Sequence, residues 1–117
     1  MDINERYLEN IVILAVSGRL DAASSQILQK SFEKNVGQIS PLLIIDMREL
    51  IFIDSTGLSL LVQYMKLCRE RKGKLAIFGI RQSVRIIFEL TRLDKVFNIF
   101  LTEEEALKGI ISQNDTP

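Results

Sequence analysis

The chain contains no histidine and no tryptophan, and among its 117 residues there are two prolines and one cysteine. Without histidine there is no Ser-His-Asp or Cys-His catalysis, no imidazole ligand for a metal and no imidazole pH sensor. Acid–base chemistry would fall to carboxylates, lysine or tyrosine. The single thiol, Cys68, has no partner for an internal disulfide, which points to a reducing compartment. No apolar run approaches the ~18–20 residues that cross a bilayer. The opening Met1-Asp2-Ile3-Asn4-Glu5-Arg6 lacks the basic-then-apolar order of a secretory signal. The expectation is a soluble cytoplasmic protein with no membrane partner. Neither charge sign is in excess, with 15 basic side chains against 15 acidic ones, which argues against a nucleic-acid partner held by phosphate neutralisation. What is present is a composition 47% hydrophobic and 26% charged. At this length one domain buries roughly two thirds of its unfolded surface and needs no metal or disulfide. A single domain over 1–117 is expected, with its core over about 3–111, a polar tail over 112–117 and a monomeric state.

Along the chain, strand-like and helix-like patterns alternate. Ile11 to Val16 is a β-branched apolar run that stops at Ser17-Gly18, and Ile3 to Leu8 can pair with it as a hairpin through Glu9-Asn10. Ala23, Ile27, Leu28 and Phe32 form a helical stripe, with Asp21 or Ser24 as N-cap and Gly37 as stop. Pro41 opens a second strand over Leu42 to Asp46, which leads through Met47-Arg48-Glu49-Leu50 into Ile51-Phe52-Ile53. Leu58, Leu61, Val62, Met65 and Cys68 then repeat at i, i+3, i+4, i+7 and i+10, and Gly73 ends that helix. Leu75 to Gly79 reads as a third strand, Val84, Ile87, Phe88 and Thr91 as a helix, and Val96 to Phe100 as a fourth strand. Thr102 and Glu105 form a capping box for a last helix. The pattern predicts an α/β fold: a central, mostly parallel mixed sheet of four to five strands with about four helices.

Chemistry is concentrated in Phe52-Ile53-Asp54-Ser55-Thr56-Gly57-Leu58, where polar residues and a glycine join a buried strand to the most regular helix. At a helix start the backbone N–H groups are unpaired and the dipole favours negative charge. A hydroxyl there either caps the helix or accepts a phosphoryl group that those N–H groups stabilise. Spacing alone leaves both open. Elsewhere, Cys68 lies on an apolar stripe and reads as a buried structural thiol. Glu103-Glu104-Glu105 spread over different faces of a helix and suit its dipole better than a metal. Gly18 and Gly37 lack phosphate-loop spacing, and Arg69, Arg71, Lys72 and Lys74 read as a solvated helix end. No catalytic residue, metal ligand or cofactor is expected.

Four blocks in register carry a resemblance: Gly18-Arg19-Leu20-Asp21, Asp54-Ser55-Thr56-Gly57-Leu58 after a strand with Asp46, Gly73-Lys74-Leu75-Ala76-Ile77, and Leu90-Thr91-Arg92-Leu93-Asp94-Lys95-Val96-Phe97. From about Ile11 to Leu107 the chain resembles the STAS domain, and within it the bacterial anti-sigma factor antagonists. The resemblance implies a non-enzymatic partner switch. Ser55 matches the serine phosphorylated by an anti-sigma factor serine kinase, which supplies the ATP and magnesium, and dephosphorylated by a PP2C-type phosphatase. Asp21 matches an aspartate beside that serine, Asp54 and Thr56 are its flanks, and Gly57 matches a glycine that lets the partner's backbone approach. Ser59 stands where the family has a smaller residue, and Arg81-Gln82 where relatives carry Ser-Pro at a helix start. Ser59, Gln63, Lys66 and Glu70 share one helical face, which with Gly18 to Asp21 is expected to dock on the kinase. The alternative is a nonphosphorylated scaffold or ligand-sensing module in a transport or signalling assembly. A small enzyme with Asp54 or Ser55 as nucleophile lacks a base nearby in sequence.

Overall fold

The computed structural model describes residues 1–36 and 41–112. Gly37 and the tail 113–117 lie outside the described residues. The order is β1 (Asp2–Leu8), β2 (Ile11–Leu20), α1 (Ser25–Val36), β3 (Leu42–Ile53), α2 (Ser55–Glu70), β4 (Lys74–Phe78), α3 (Gln82–Leu90), a 3₁₀ turn (Leu93–Lys95), β5 (Asn98–Phe100) and α4 (Glu103–Ser112). The strands form one sheet in the order β1-β2-β3-β4-β5. β1 pairs antiparallel with β2, as the hairpin pattern anticipates, and the remaining pairs are parallel.

Side-chain alternation divides the sheet. Val12, Leu14 and Val16 of β2, Leu43, Ile45 and Met47 of β3, and Leu75 and Ile77 of β4 face one core with Leu28, Phe32, Leu61, Met65, Val84 and Phe88. The intervening Ile11, Ile13, Leu42, Ile44, Ala76 and Phe78 face a second core closed by Ala106 and Ile110 of α4. Strands buried on both faces read as continuous apolar runs, which is why alternation is invisible in their sequence.

Four sequence-based boundaries are corrected. β2 does not stop at Ser17-Gly18 but continues to Leu20, because Gly18 takes φ +92° and bends the strand without ending it. β3 runs unbroken to Ile53, and its register against β2 slips twice: Ala15 opposes Asp46 but Ser17 opposes Glu49, and Gly18 opposes Leu50 but Arg19 opposes Phe52. These bulges replace the two-residue period by three, so Met47, Leu50 and Ile53 are buried while Arg48, Glu49, Ile51 and Phe52 are exposed. The fourth run shortens to Asn98–Phe100, since Arg92 at φ +62° starts the 3₁₀ turn and Phe97 is packed edge-on against Phe88. At α1, Ala23 just before the helix and Ile27 within it are exposed, and the inward residues are Ser24 ahead of the helix and Leu28, Ser31, Phe32 and Asn35 on it. The helix begins only at Ser25, behind a reciprocal turn in which the Ser24 N–H donates to Asp21 Oδ1 (3.0 Å) and the Asp21 N–H donates to Ser24 Oγ (3.0 Å).

The end of α2 is a Schellman motif: the Gly73 N–H donates to the Cys68 carbonyl and the Lys72 N–H to that of Arg69. Lys72, not Gly73, takes the left-handed position at φ +62°. Gly73 is needed for a different reason, because a Cβ there would lie 1.7 Å from the Pro41 carbonyl oxygen. At α3 the Arg81 side chain makes no cap bond, as the absence of a Ser-Pro start suggests. It donates instead to the Arg48 carbonyl (2.7 Å) and pairs with Glu49 (2.9 Å), holding the start of α3 on β3.

Candidate functional site

β3 hands the chain to α2 at Asp54, and Asp54 is the N-cap. Its backbone is extended (φ −112°, ψ −173°), and its Oδ1 accepts from the Gly57 N–H at 3.0 Å. Its Oδ2 accepts from the Ala22 N–H at 3.2 Å, and its own N–H donates to the Leu20 carbonyl at 3.2 Å. One carboxylate therefore ties the first turn of α2 to the segment following β2, bringing the neighbourhood of Asp21 against Asp54.

This arrangement resolves which group caps the helix. The cap oxygen belongs to Asp54, and Ser55 and Thr56 occupy the first two helical positions with exposed side chains. Among the described residues nothing bonds to the Ser55 hydroxyl. It stands at a helix N-terminus where the positive end of the dipole favours added negative charge.

Asp21 is ionised at neutral pH. The Ser24 hydroxyl, the Ser24 N–H and then the Arg19 guanidinium hold its carboxyl below the usual carboxylate range. Arg19 lies 3.5 Å from Asp21 Oδ2 and places its guanidinium 3.9 Å over the centre of the Phe52 ring. Ile51 lies outside the sequence-based site, while Arg19, within the Gly18 to Asp21 segment, and Phe52, at the head of the Phe52–Leu58 stretch, fall inside it without a role of their own. The signal that could have found them is the spacing of Met47, Leu50 and Ile53, which fits a strand only if bulges expose the residues between.

Gly57 is buried with its missing side chain directed inward: a Cβ would meet the Leu20 carbonyl oxygen at 2.7 Å, Leu20 Cγ at 2.8 Å and Ile53 Cγ1 at 2.9 Å. The close approach of α2 to the end of β2 by itself requires glycine here. Gly18 lies within β2, against Met1, whose Cα would be 3.5 Å from an added Cβ. It therefore does not belong to the loop that carries Asp21. Ser59, Gln63, Lys66 and Glu70 are all exposed along one face of α2, opposite the buried Leu58, Leu61, Met65 and Cys68. Tyr64 joins that buried side and stacks on Phe32 with ring centres 3.7 Å apart. Burial pushes the Cys68 thiol up to about 12, which suits a structural residue.

Among the described residues no cluster of three potential metal ligands occurs, and no helix is long and apolar enough to cross a membrane.

Comparison with known proteins agrees with this architecture. An anti-sigma-B factor antagonist of Listeria monocytogenes is 31% identical over 105 residues, covering 90% of this chain and 91% of its own. An anti-sigma factor antagonist from Mycobacterium paratuberculosis superimposes with a TM-score of 0.83 at 24% identity, covering 93% and 92% of the two chains. The Bacillus cell fate determinant SpoIIAA, solved in a phosphorylated form, gives 0.71 at 20% identity, covering 93% and 99%. The STAS domain model matches residues 2–106, and with the mixed five-stranded sheet and the helix start at Ser55 in place, the chain belongs to the STAS domain family.

Proposed function

We propose that this protein is an anti-sigma factor antagonist whose binding is switched by phosphorylation of Ser55. In this reading the unphosphorylated form binds an anti-sigma factor serine kinase and frees the sigma factor. The kinase, with its own ATP and magnesium, modifies Ser55 and so ends the complex, and a PP2C-type phosphatase restores it. The observation that carries the reading is local: Asp54 has taken over the cap, so the Ser55 hydroxyl is exposed and unengaged among the described residues. The curated relative described as an anti-sigma-B factor antagonist and the existence of a phosphorylated form of SpoIIAA support it. The docking surface would combine Asp21, Asp54, Thr56 and the α2 ridge of Ser59, Gln63, Lys66 and Glu70. The working form is a cytoplasmic monomer.

Phosphorylation adds about −1.5 to −2 charge. The N-terminus of α2 offsets that charge within the molecule, so the fold persists. At a docked surface the same charge lies near the Asp54 and Asp21 carboxylates and must lose its water. A penalty of ~3 kcal/mol weakens association on the order of a hundredfold. The test is incubation with purified anti-sigma serine kinases and ATP, followed by mass spectrometry of wild type and Ser55→Ala. A phosphate on wild type alone is expected, and modification of Ser55→Ala to the same extent would overturn the assignment. Phosphorylated protein should keep its circular dichroism spectrum and melting cooperativity. Reversing Lys66 and Glu70 should weaken kinase binding, and unchanged affinity would remove the α2 ridge from the footprint.

A further inference from the structure

We infer that Phe52, with Ile51 and Arg19 beside it, is the apolar anchor by which the kinase is held over Ser55. The inference rests on the reading of Ser55 just given and deepens it. β3 pairs with β4 only from Leu42 to Asp46, so its last seven residues have a strand on one side only, that of β2. The bulge at Ile51 then turns two consecutive apolar side chains outward, with Ile51 51% and Phe52 36% exposed. Elsewhere in β3 such residues are buried, so this pair is an exception made by the backbone at the residues just before the site.

The geometry commits the patch to one occupant. A stable protein interface covers about 800 Å² on each partner, a disc of roughly 16 Å radius. With consecutive Cα atoms 3.80 Å apart, the Phe52 Cα lies at most ~11 Å and the Ile51 Cα at most ~15 Å from that of Ser55. Both therefore lie within the radius of an interface centred on Ser55, and Arg19 links them to it, pairing with Asp21 of the proposed footprint while lying over the Phe52 ring. Aromatic and arginine side chains dominate the energetics of such interfaces when a partner pocket desolvates them. Here the Arg19 guanidinium already lies on the Phe52 ring and is held by Asp21, so the pair is pre-positioned before docking. The matching partner surface is an apolar pocket for Phe52 bordered by a carboxylate for Arg19.

The test uses the kinase that phosphorylates wild type at Ser55, titrated calorimetrically into wild type, Phe52→Ala, Ile51→Glu and Arg19→Ala with a non-hydrolysable ATP analogue. Phe52→Ala and Ile51→Glu should each lose on the order of thirtyfold in affinity, and Arg19→Ala should lose a few-fold. Leu90→Ala, on the exposed end of α3, should change nothing. Thermal melts guard against misfolding of Phe52→Ala. Amide exchange on the unmutated complex should show protection of residues 50–53 as well as of the start of α2. If no kinase modifies Ser55, the parent reading and this inference fall together. If Ser55 is modified while Phe52→Ala and Ile51→Glu bind as wild type does and residues 50–53 gain no protection, this inference alone falls. A wild-type dimer in sedimentation that Phe52→Ala abolishes, with kinase binding untouched, would assign the patch to a second copy and likewise overturn it.

Discussion

Substituting Gly57 by alanine sets two physical effects of opposite sign against each other. Helix propensity alone predicts that Gly→Ala in α2 stabilises by about 0.8–1.0 kcal/mol. The packing predicts the reverse. An added Cβ would meet Leu20 and Ile53 atoms at 2.7, 2.8 and 2.9 Å, and the nearest is a backbone carbonyl that cannot rotate away. Overpacking of this kind costs about 1–3 kcal/mol. Relief requires the start of α2 to move off β2, which stretches the Asp54 N–H bond to the Leu20 carbonyl and the Ala22 N–H bond to Asp54 Oδ2, both already 3.2 Å. Each such bond contributes about 0.5–1.5 kcal/mol. The net expectation is a destabilisation of about 2–3 kcal/mol, read by urea unfolding as a midpoint lower by roughly 1–2 M and in a thermal scan as a melting point lower by roughly 10 °C. Ser59→Ala, exposed on the same helix, is the control and should gain a few tenths of a kcal/mol. A Gly57→Ala midpoint equal to or above that of wild type would show that the contact with Leu20 is not tight, and the account of this glycine would fail.

The remaining predictions address the supporting structure. Tyr64 Oη is buried and has no hydrogen-bond partner among the described residues, so Tyr64→Phe should raise stability by about 1 kcal/mol; a loss of that size in urea unfolding would reveal a bond that matters. Lys72 occupies the left-handed position that ends α2, so Lys72→Gly should stabilise by roughly 0.5–1 kcal/mol, and a lower midpoint would count against the Schellman assignment. The Glu5 carboxyl is brought down to about 2 chiefly by the Ser31 hydroxyl and Lys34. Because that value lies below the ordinary one for glutamate, its stabilisation is complete above about pH 5 and is lost as pH falls toward 2. Glu5→Gln should therefore be less stable than wild type at pH 7 and lose less on acidification, and identical pH profiles would remove Glu5 from the acid response.

The helices were legible where one face alone is buried. Of the stripe Leu58, Leu61, Val62, Met65 and Cys68 at helical spacing, α2 buries all but the half-buried Val62, with Gly57 and Tyr64 beside them. The alternation of strands and helices likewise implied parallel pairing, and the start at Asp54-Ser55-Thr56 stood out because polar residues interrupt two apolar segments. What stayed hidden depends on contacts distant in sequence. The closeness of Gly57 to Leu20, which by itself requires a glycine there, cannot be read from either neighbourhood. Ala23 and Ile27 fit a helical stripe with Leu28 and Phe32, but the Asp21–Ser24 turn leaves Ala23 ahead of α1 and Ile27 faces outward, so only Leu28 and Phe32 are buried. The exposure of Ile51 and Phe52 follows from register against β2, which a run of apolar letters does not encode.

α2 spans 16 residues, about 24 Å at 1.5 Å per residue. It begins beside the acids Asp54 and Asp21 and ends at Arg69, Arg71, Lys72 and Lys74. At physiological ionic strength the screening length is about 8 Å, so the two poles of this helix lie roughly three screening lengths apart and scarcely sense each other. A chain whose formal charges sum to zero thus behaves as two independent electrostatic regions. A charge added at the acidic pole would be answered only by the groups within a turn or so of it, and an approaching protein would meet a different molecule at each end of the same helix.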